Sequence, residues 1–463
     1  MATAPAVSPP SSLVEPSLSE PSPPAERLLP PGAAGATTWP DLLGQLDQVA
    51  SLREARAQAQ ASEAVGEQGH IRAWLPRLDA SARREEQRQR YNGTASRTPG
   101  SETSLNATWP LWRPADRADA RAQSALAEQA LWQVRQRQQG LARELSTAYL
   151  EAVEAAEHWR LTLQHLESLG IQAQAHEKRL RAGLGTVLDL LETRMRQDQG
   201  QARADQLLSR VRSRALSLAR LSGRPVSPPG GLRPDETEPT PLDLPPLAEA
   251  TALALSRHPE VKAAQASLQA SQEASRARDA ESWQPTLDAT AGRSHTRQTQ
   301  RFEGLSDRQD IRSDNVGVVL NWPLFSSGLQ HAKQRESAAL LSAAQARLDD
   351  IEARVSAELQ DAYQRHEQAQ RQLVQQRAVL ASALATQEAV QKAWLAGLRD
   401  TTDLLNARDR VHDARLAHAS ARIAVMQAGA DALALLDQLD VQHVAVWLDR
   451  FETTTISLAP TTP

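Results

Sequence analysis

Histidines, an acidic pair and a glycine pair are the residues of this 463-residue chain whose types could support chemistry. His412 and His418 lie six residues apart, which is not a ligand spacing on one helix, and the other histidines are scattered. Gly230–Gly231 stands among prolines and opens no helix after a strand, so it predicts no phosphate loop. Asp349–Asp350 has the pattern of charge on a helix surface. The sequence therefore predicts no catalytic, metal or cofactor site, and we expect the protein not to be an enzyme.

The composition favours long packed helices over a conventional globular core. Aromatic residues make up only 3% of the chain, whereas Ala, Leu, Gln, Arg and Glu are abundant. A net charge of −4 gives no sign of nucleic-acid binding. The absence of cysteine excludes disulfides, thiolate metal sites and a cysteine nucleophile. No run of eighteen apolar residues occurs, so the sequence predicts no transmembrane helix.

One phrase of the sequence occurs twice. Residues 181–194 read RAGLGTVLDLLETR and residues 395–408 read LAGLRDTTDLLNAR, with seven identities in thirteen positions at an offset of 214. Three further landmarks recur in the same order: WLPRLDA (74–80) and WQPTLDA (283–289), TWPLW (108–112) and NWPLF (321–325), and ELSTAY (144–149) and ELQDAY (358–363). Four landmarks in matching order predict a tandem duplication of roughly 210 residues.

The hydrophobic period changes between these landmarks. Apolar residues from Leu141 to Leu166 are spaced by threes and fours, as in the seam of a packed helix. Val316, Val318 and Leu320 alternate with their neighbours, which indicates a strand. Each repeat thus reads helix, strand, polar loop, strand, very long helix, turn, helix. The predicted strands are about 76–90 and 102–112, then 285–294 and 315–325, with polar hairpin tips at roughly 83–100 and 293–314.

The predicted organisation has five segments. Residues 1–40 are rich in Pro and Ser, show no signal-peptide pattern and are expected to be disordered. The remaining segments are a first repeat (41–223), a Pro/Gly-rich connector (224–246), a second repeat (247–440) and a C-terminal tail (441–463). Continuous helices are predicted at 114–183 and 330–397, about 100 Å each. Shorter helices are predicted at about 41–72, 186–221, 247–282 and 400–440, and they pair end to end into rods of similar length.

The strand count predicts self-assembly. Four strands of about ten residues are long enough to cross a bilayer but too few to close a barrel. An open sheet would leave unpaired backbone groups in lipid, at several kcal/mol each. Three copies would supply twelve strands, so we expect a homotrimer in contact with membrane lipid. Tryptophans at the ends of the predicted strands fit an aromatic girdle at the membrane interface; they are Trp74, Trp109, Trp112, Trp283 and Trp322.

The chain resembles the TolC-type outer-membrane efflux proteins over about residues 41–440. The resemblance rests on the duplication, the P-x-L strand entries (Pro76 and Leu78, Pro285 and Leu287), the W-P-L-W/F strand exit (Trp322 to Phe325, followed by Gly328) and the G-L-x-T-x-x-D-L-L phrase. It implies a mainly α fold with a small β part. Long helical hairpins would form a periplasmic α-barrel, and four strands per chain would contribute to a trimeric, twelve-stranded β-barrel in the outer membrane of a Gram-negative bacterium. It also implies an exit channel for efflux or type I secretion that works with a periplasmic adaptor and an inner-membrane transporter.

The resemblance assigns the repeated phrase to two helix-turn-helix tips at the periplasmic end, which close the pore and dock the adaptor. Gly183 and Gly397 would permit the tight reversal, and Leu184 and Leu398 would offer apolar contacts to a partner helix. The returning helices are expected to be capped by Thr186 and by Thr401 or Thr402.

A pore gate follows from the same resemblance. Its expected members are Asp189, Arg399, Asp400 and Asp403. Arg399 would bridge neighbouring tips, and three copies of Asp403 would make a constriction that attracts cations. Asn406 stands where the family often has a second aspartate, so a double acidic ring is not expected. Ordinary helix termination also accounts for these residue types, with Asp189 and Asp403 in first turns.

Two other interpretations compete with a channel. A periplasmic adaptor with a coiled-coil hairpin would need a Gly-rich lipoyl module and an apolar or lipid anchor, and the sequence contains no pattern for either. A soluble coiled-coil scaffold is favoured by the missing signal-peptide pattern and opposed by the strand hairpins.

Overall fold

The computed structural model describes residues 38–91, 94–233, 244–302, 305–324, 328–447 and 451. The first repeat contains α1 (Trp39–Gly44), a 3-10 turn (Leu46–Gln48), α2 (Ala50–Trp74), β1 (Arg77–Tyr91), β2 (Thr94–Trp112), α3 (Pro114–Arg181) and α4 (Val187–Ser222). The second contains α5 (Leu247–Arg257), α6 (Pro259–Trp283), β3 (Thr286–Phe302), β4 (Leu305–Asn321), α7 (Leu329–Leu395), α8 (Thr401–Leu435) and α9 (Val441–Ala445). The order helix, hairpin, long helix, turn, helix occurs twice, which confirms the duplicated, mainly α fold.

Two very long helices support the molecule. Helices α3 and α7 have 68 and 67 residues, or about 100 Å each at 1.5 Å per residue. Helix α3 begins with Pro114 at its first position, where a missing N–H costs nothing. It packs against α2, α4, α6 and α8, whereas α7 packs against α5, α6 and α8. Because α6 contacts both long helices, it joins the two repeats along part of their length.

One antiparallel sheet extends from the end of the helical region. Its strand order is β1-β2-β3-β4. Each repeat forms a hairpin, with Arg77 opposite Thr108 in the first and Thr286 opposite Asn321 in the second. Pairing of β2 with β3 then joins the two hairpins into a single sheet.

An aromatic cluster closes the middle of the helical region. Trp39 stacks on Trp447 with ring centroids 5.3 Å apart and on Tyr149 at 5.8 Å. Phe451 meets Tyr149 edge to face at 5.6 Å. The indole N–H of Trp39 donates to the Ser146 hydroxyl (2.9 Å), so the buried ring is also satisfied as a donor. Segments near the two ends of the described chain therefore meet at the midpoint of α3.

The strands are longer than the sequence predicts. The polar segments at 83–100 and 293–314, predicted as hairpin tips, lie largely within strands. The predicted strands at 102–112 and 285–294 extend to 94–112 and 286–302, and the one at 315–325 is replaced by 305–321. The alternation signal disappears in these segments because both faces of the sheet become polar, while the backbone ladder continues unchanged.

Several helix boundaries also differ from the prediction. The helix expected at 41–72 is divided into α1, the 3-10 turn and α2. The helix expected at 247–282 is interrupted at His258, which precedes Pro259 and adopts extended backbone angles. Helix α8 ends at Leu435 instead of 440, followed by Asp437 at φ 57°.

The terminal segments are more ordered than expected. Thr38 caps α1 and Trp39 is buried, so the predicted disordered segment 1–40 is wrong for its last residues. The predicted tail 441–463 contains α9 and the buried residues Trp447 and Phe451. Residues 1–37, 234–243 of the connector, Phe325, and 448–450 with 452–463 of the tail lie outside the described residues.

Candidate functional site

The two copies of the repeated phrase form the same tight turn. Gly183 has φ 70° and Gly397 has φ 73°, in the left-handed region that favours glycine. The N–H of Leu184 donates to the carbonyl five residues earlier (2.9 Å), and Leu398 does the same (2.9 Å). This bond is the one that closes a helix in a Schellman motif. The sequence predicts this reversal correctly, and the docking role of the tips stays a prediction.

The helices that leave the two turns are capped by different side chains. Thr186 caps α4 in a reciprocal capping box with Asp189: the Asp189 N–H donates to the threonine hydroxyl (3.1 Å) and the Thr186 N–H to the carboxylate (3.2 Å). Asp400 caps α8 by accepting from the Asp403 N–H (2.8 Å). The expectation that Thr401 or its neighbour caps α8 is therefore wrong, because the helix begins one residue earlier than that role requires.

Hydrogen bonds keep the first tip's carboxylate ionised. Burial alone would raise the pKa of Asp189, but the hydroxyls of Thr186 and Thr401 and the Thr186 N–H stabilise the carboxylate and lower the pKa below its usual value. Thr401 is itself buried. Asp189 is thus joined to α8 as well as to its own helix.

The charged residues of the second tip pair with each other. Arg399 Nη1 lies 3.2 Å from Asp403 Oδ2, and both side chains are exposed. The carboxylate of Asp400 is used in the helix cap. In the single chain Arg399 is engaged within its own tip, and its bridging role at a gate stays a prediction.

The tips also expose apolar side chains. Leu184 is 74% exposed and Leu398 is 79% exposed. Helix α4 continues this surface with further exposed residues at helical spacing, which we call the α4 stripe: Leu184, Val187, Leu188, Leu191 and Met195. A large exposed apolar patch usually marks a surface that binds a partner.

A polar network behind the tips joins the two repeats. Arg196 on α4 donates to the Asn406 amide oxygen on α8 (2.9 Å) and pairs with Asp409 and with Glu192 (3.3 Å). The Thr402 hydroxyl donates to Glu192 (2.9 Å). Asn406 thus serves as a partner for Arg196 in this protein.

Two stacked histidines extend the network along α3 and α8. The rings of His165 and His412 lie 4.5 Å apart and nearly parallel, at 10°. His165 Nε2 lies 3.2 Å from Asp409 Oδ1. Burial is the main cause that lowers the pKa of His412, to about 4. The nearby His165, Arg203 and Arg415 lower it further, and the Asp409 carboxylate opposes the shift.

Sequence reasoning missed this network. It treated His412 as one of several scattered histidines and Asn406 only as a departure from a family pattern. The available signal was the spacing of Thr402, Asn406, Asp409 and His412, which places four polar residues on one helical face within a buried stretch.

The five tryptophans singled out in the sequence lie at the junction of helices and sheet and are all half exposed: Trp74, Trp109, Trp112, Trp283 and Trp322. The Trp109 indole N–H donates to the Trp74 carbonyl (3.2 Å), and Trp322 donates to Trp283 in the same way (3.2 Å). The Arg117 guanidinium lies 3.8 Å from the centroid of the Trp74 ring. The duplication therefore preserves the contact as well as the residue, and the role at a membrane interface stays a prediction.

The two faces of the sheet differ in polarity near the tryptophans. Strand register places one set of apolar residues on the same side, which we call the apolar face: Leu78, Ala80, Leu105, Ala107, Trp109, Leu287, Ala289, Ala291, Val316, Val318 and Leu320. The opposite side, the polar face, carries mainly polar residues: Asp79, Ser81, Asn106, Thr108, Asp288, Thr290, Asn315 and Asn321. Leucines and valines of the apolar face, such as Leu78, Val316 and Val318, are exposed in the single chain.

The sheet is open at both sides. Strands β1 and β4 each pair with only one neighbour in the described part of the chain. At the base of the sheet, Arg113 holds Asp288 through two hydrogen bonds of 2.7 Å and joins the start of α3 to β3. The outer edges of β1 and β4 therefore present unpaired backbone N–H and C=O groups next to the apolar face.

Two features are absent from the described residues. No helix there combines the length and the apolar character needed to cross a membrane. No group of three or more His, Cys, Asp or Glu side chains in the same residues is placed to hold a metal ion.

Comparison with known proteins relates the whole repeat pair to one family. The sequence profile described as "Outer membrane efflux protein" matches residues 45–224 and 251–436, well over half of the chain. Outer membrane efflux protein BepC of Brucella suis is 24% identical over 262 residues, which are 57% of this chain and 55% of that protein. The matched region thus spans about half the length of that curated relative.

Solved structures share the fold. The outer-membrane channel OprN superposes with a TM-score of 0.73 at 22% identity, covering 86% of this chain and 90% of OprN. CusC gives a TM-score of 0.73 at 16% identity, covering 87% of this chain and 92% of CusC.

Proposed function

The chain belongs to the outer membrane efflux protein family, and from this premise we propose that it is the subunit of a homotrimeric exit channel for efflux. As a member of that family it is an outer-membrane protein with a periplasmic extension. In the proposed channel the sheets of three copies close into one barrel, the helices form a tunnel, and cargo leaves the cell through both. The cargo is either a small molecule exported by efflux or a protein exported by type I secretion.

The open sheet with unlike faces carries the proposal. Its apolar face suits lipid and its polar face suits a water-filled lumen. Free backbone groups on the outer edges of β1 and β4 cost several kcal/mol each in lipid unless another strand pairs with them. Four strands cannot close a barrel, because membrane barrels begin at about eight. Pairing β4 of one copy with β1 of the next satisfies both edges, and three copies give twelve strands.

The helical region fits a duct across the periplasm. Helices α3 and α7 extend about 100 Å from the sheet to the glycine turns. The α4 stripe and Leu398 offer apolar surface at the far end. We expect a helical hairpin of a periplasmic adaptor to bind there, as an apolar helix surface binds a helix of a partner. An inner-membrane transporter would load the tunnel through this adaptor.

The gate belongs to the same proposal. Arg399, Asp400 and Asp403 lie together at the second tip, and Asp189 lies at the first. Threefold symmetry would bring three copies of these charges around one axis, where a ring of carboxylates attracts cations. Opening would require Arg399 and Asp403 to exchange their present contact for others.

Engineered disulfides test the trimer directly, because the natural chain has no cysteine. We would combine Val316→Cys on β4 with Leu78→Cys, Ala80→Cys or Ala82→Cys on β1. Within one chain β1 and β4 are three strand spacings apart, about 14 Å, which is too far for a disulfide. We expect at least one combination to give a covalent ring of about three times 50.5 kDa in outer-membrane fractions.

The single-cysteine variants are the controls, since they cannot close a ring. Soluble monomer or dimer in all three combinations would contradict the channel and favour a coiled-coil scaffold. A membrane-bound chain that forms only cross-linked dimers would contradict the threefold arrangement.

A further inference from the structure

The apolar face does not continue to the ends of the strands. Beyond Val316 the same side of the sheet carries charged residues, because strand register keeps Asp314, Arg312, Asp310 and Arg308 in line with it. On β3 the corresponding positions are occupied by arginine and histidine, and Arg293 is the first. The change from aliphatic to charged side chains takes place within one step of the alternation.

Arginines are concentrated on this side and not on the other. Over residues 83–88, 98–103, 293–299 and 307–314, the side that continues the apolar face has six arginines and three carboxylates. The arginines are Arg84, Arg88, Arg293, Arg297, Arg308 and Arg312. Over the same span the side that continues the polar face has one arginine, Arg83, and three carboxylates, Glu85, Glu102 and Asp307. The positive charge is therefore directed away from the lumen of the proposed channel.

Half of these arginines are already neutralised. Arg293 pairs with Asp314 (2.6 Å), Arg297 with Asp310 (3.3 Å), and Arg88 with Glu86 (3.1 Å). Among the described residues, no carboxylate pairs with the other three, which we call the free arginines: Arg84, Arg308 and Arg312. A trimer would present nine free arginines around its circumference.

The free arginines lie at a defined depth. From Trp322 to Asp314 the strand advances about 27 Å, or roughly 20 Å along the membrane normal at the usual tilt of barrel strands. The apolar band of outer-membrane barrels is about 25 Å tall. Measured from Trp322, the Arg293–Asp314 pair thus lies roughly 5 Å inside the outer edge of this band, where a paired charge is tolerated. Arg312 and Arg308 extend further outward, to the level of the lipid headgroups.

We propose that this surface, built from Arg84, Arg308 and Arg312 of each copy, binds the phosphate groups of glycolipids in the outer leaflet of the outer membrane. The inference rests on the proposed trimeric channel, which sets the orientation of the sheet. Guanidinium groups bind phosphate through paired N–H donors, and their long stems reach along apolar surface while the charge stays at the interface. Binding on the outer circumference would hold the barrel at a fixed height.

The first test uses the unmodified trimer in nonionic detergent. Native mass spectrometry would measure the retention of lipid A that carries both phosphates and of the same glycolipid after dephosphorylation. At about fivefold per arginine near an anionic surface, we expect at least a fivefold preference for the phosphorylated form. Equal retention of the two lipids by an intact trimer would overturn the inference while leaving the channel proposal intact. A chain that forms no trimer would overturn both.

A matched pair of variants locates the surface. The triple variant Arg84→Gln, Arg308→Gln and Arg312→Gln should lose at least about fivefold in retention of the phosphorylated glycolipid. Arg83→Gln removes a neighbouring charge from the opposite side of the sheet and should bind as the unmodified protein does. Equal losses in both, or no loss in the triple variant, would contradict the assignment. The triple variant with lysine in place of glutamine should keep most of the binding.

Discussion

The two helical tips share one backbone and differ in almost every side-chain environment. Both turn at a glycine with positive φ and close the preceding helix with the same hydrogen bond. Leu191 and Leu405 occupy equivalent positions at the offset of 214, yet Leu191 is 56% exposed and Leu405 is fully buried. Helix α8 packs against both α7 and α3, whereas the principal contact of α4 is with α3. Duplication therefore preserved the turn, while the packing around it diverged.

The difference suits the two tips to different parts of the proposed function. The first tip keeps an apolar surface free for a partner, and the second is buried on one side and charged on the other. Met195 and Asp409 are equivalent in the same way, one exposed on α4 and the other paired with Arg196 and His165. In the proposed channel, the adaptor would bind mainly to the first tip, and the gate would be formed mainly by the second.

The leucine pair should show the largest effect. Leu405→Ala removes a fully buried side chain and is expected to destabilise the protein by about 3 kcal/mol, because it leaves a cavity. Leu191→Ala should change the stability of the chain by less than about 0.5 kcal/mol. Thermal unfolding of the two variants in detergent, followed by circular dichroism, measures the difference. Equal losses of stability in the two variants would show that Leu191 is as buried as Leu405 and would contradict the difference in packing between the tips.

The Asp409 position sharpens the same contrast for charge. Asp409→Asn removes one of the two carboxylates paired with Arg196, Glu192 being the other, and should cost about 2 kcal/mol, measured as a lower unfolding temperature. Met195→Gln, at the equivalent exposed position, is the control and should be close to neutral. If Asp409→Asn unfolds at the temperature of the unmodified protein, the network behind the tips contributes no stability.

Acid should destabilise the packing around His412 on α8. The pKa of His412 is about 4 in the folded chain, below the ordinary value near 6.5. Between these values the unfolded chain binds a proton that the folded chain does not, so stability falls as pH decreases from about 6.5 to 4 and does not depend on this group above that range. We expect a loss of about 1.5 kcal/mol after allowing for solvent screening.

Comparing unmodified protein with His412→Gln isolates this contribution. The groups facing the ring are His165, Arg203, Asp409 and Arg415, and they remain in the variant. The fall in unfolding temperature between pH 7 and pH 4.5 should be smaller in the variant than in the unmodified protein. Parallel pH profiles would contradict a buried, neutral His412.

Glycine substitutions test what the tips share. Gly183→Val and Gly397→Val each force a β-branched residue into left-handed backbone, at about 1 to 2 kcal/mol locally. No atom lies within 4 Å of a β-carbon built at either glycine, so the cost is one of backbone alone and should be equal at the two tips. Export should be impaired with trimer assembly intact. Normal export by the Gly397 variant would show that the tip assignment is wrong.

The smallest expected effect concerns ion selectivity. Asp403→Asn should reduce the preference for cations in single-channel recordings about twofold, because one carboxylate per copy is lost from the proposed constriction. Asp189→Asn tests the other tip's carboxylate in the proposed gate and should change selectivity less, because that carboxylate is bound by the hydroxyls of Thr186 and Thr401. Unchanged selectivity in the Asp403 variant would exclude this residue from the pore.

The sequence predicted features that depend on nearby residues, such as helix extents and glycine turns. The helical period located α3 and α7 to within a few residues. Gly183 and Gly397 predicted the two turns because few other residues accept positive φ. The cap of α8 was misassigned by one residue, since Asp400 and the threonines after it are all good capping types. The roles predicted for the tip and interface residues still await experiment.

Contacts between distant segments were beyond such rules. Nothing near Trp447 or Phe451 in the sequence indicates that they stack around Trp39 and Tyr149. The outer halves of the strands were missed because a segment that is polar on both faces resembles a loop. The polar face of α8 that binds Arg196 was missed because Arg196 lies two hundred residues away in the sequence.

The aromatic cluster at the middle of α3 has a consequence for biogenesis. A chain that is synthesised and exported from its N-terminus presents Trp39 and Tyr149 long before Phe451 emerges. Until then these rings have no complete packing and remain available to chaperones or proteases. Trp39 is fully packed only when Trp447 and Phe451 are in place, so we expect a product truncated before Trp447 to be left with an exposed aromatic cluster at the middle of α3.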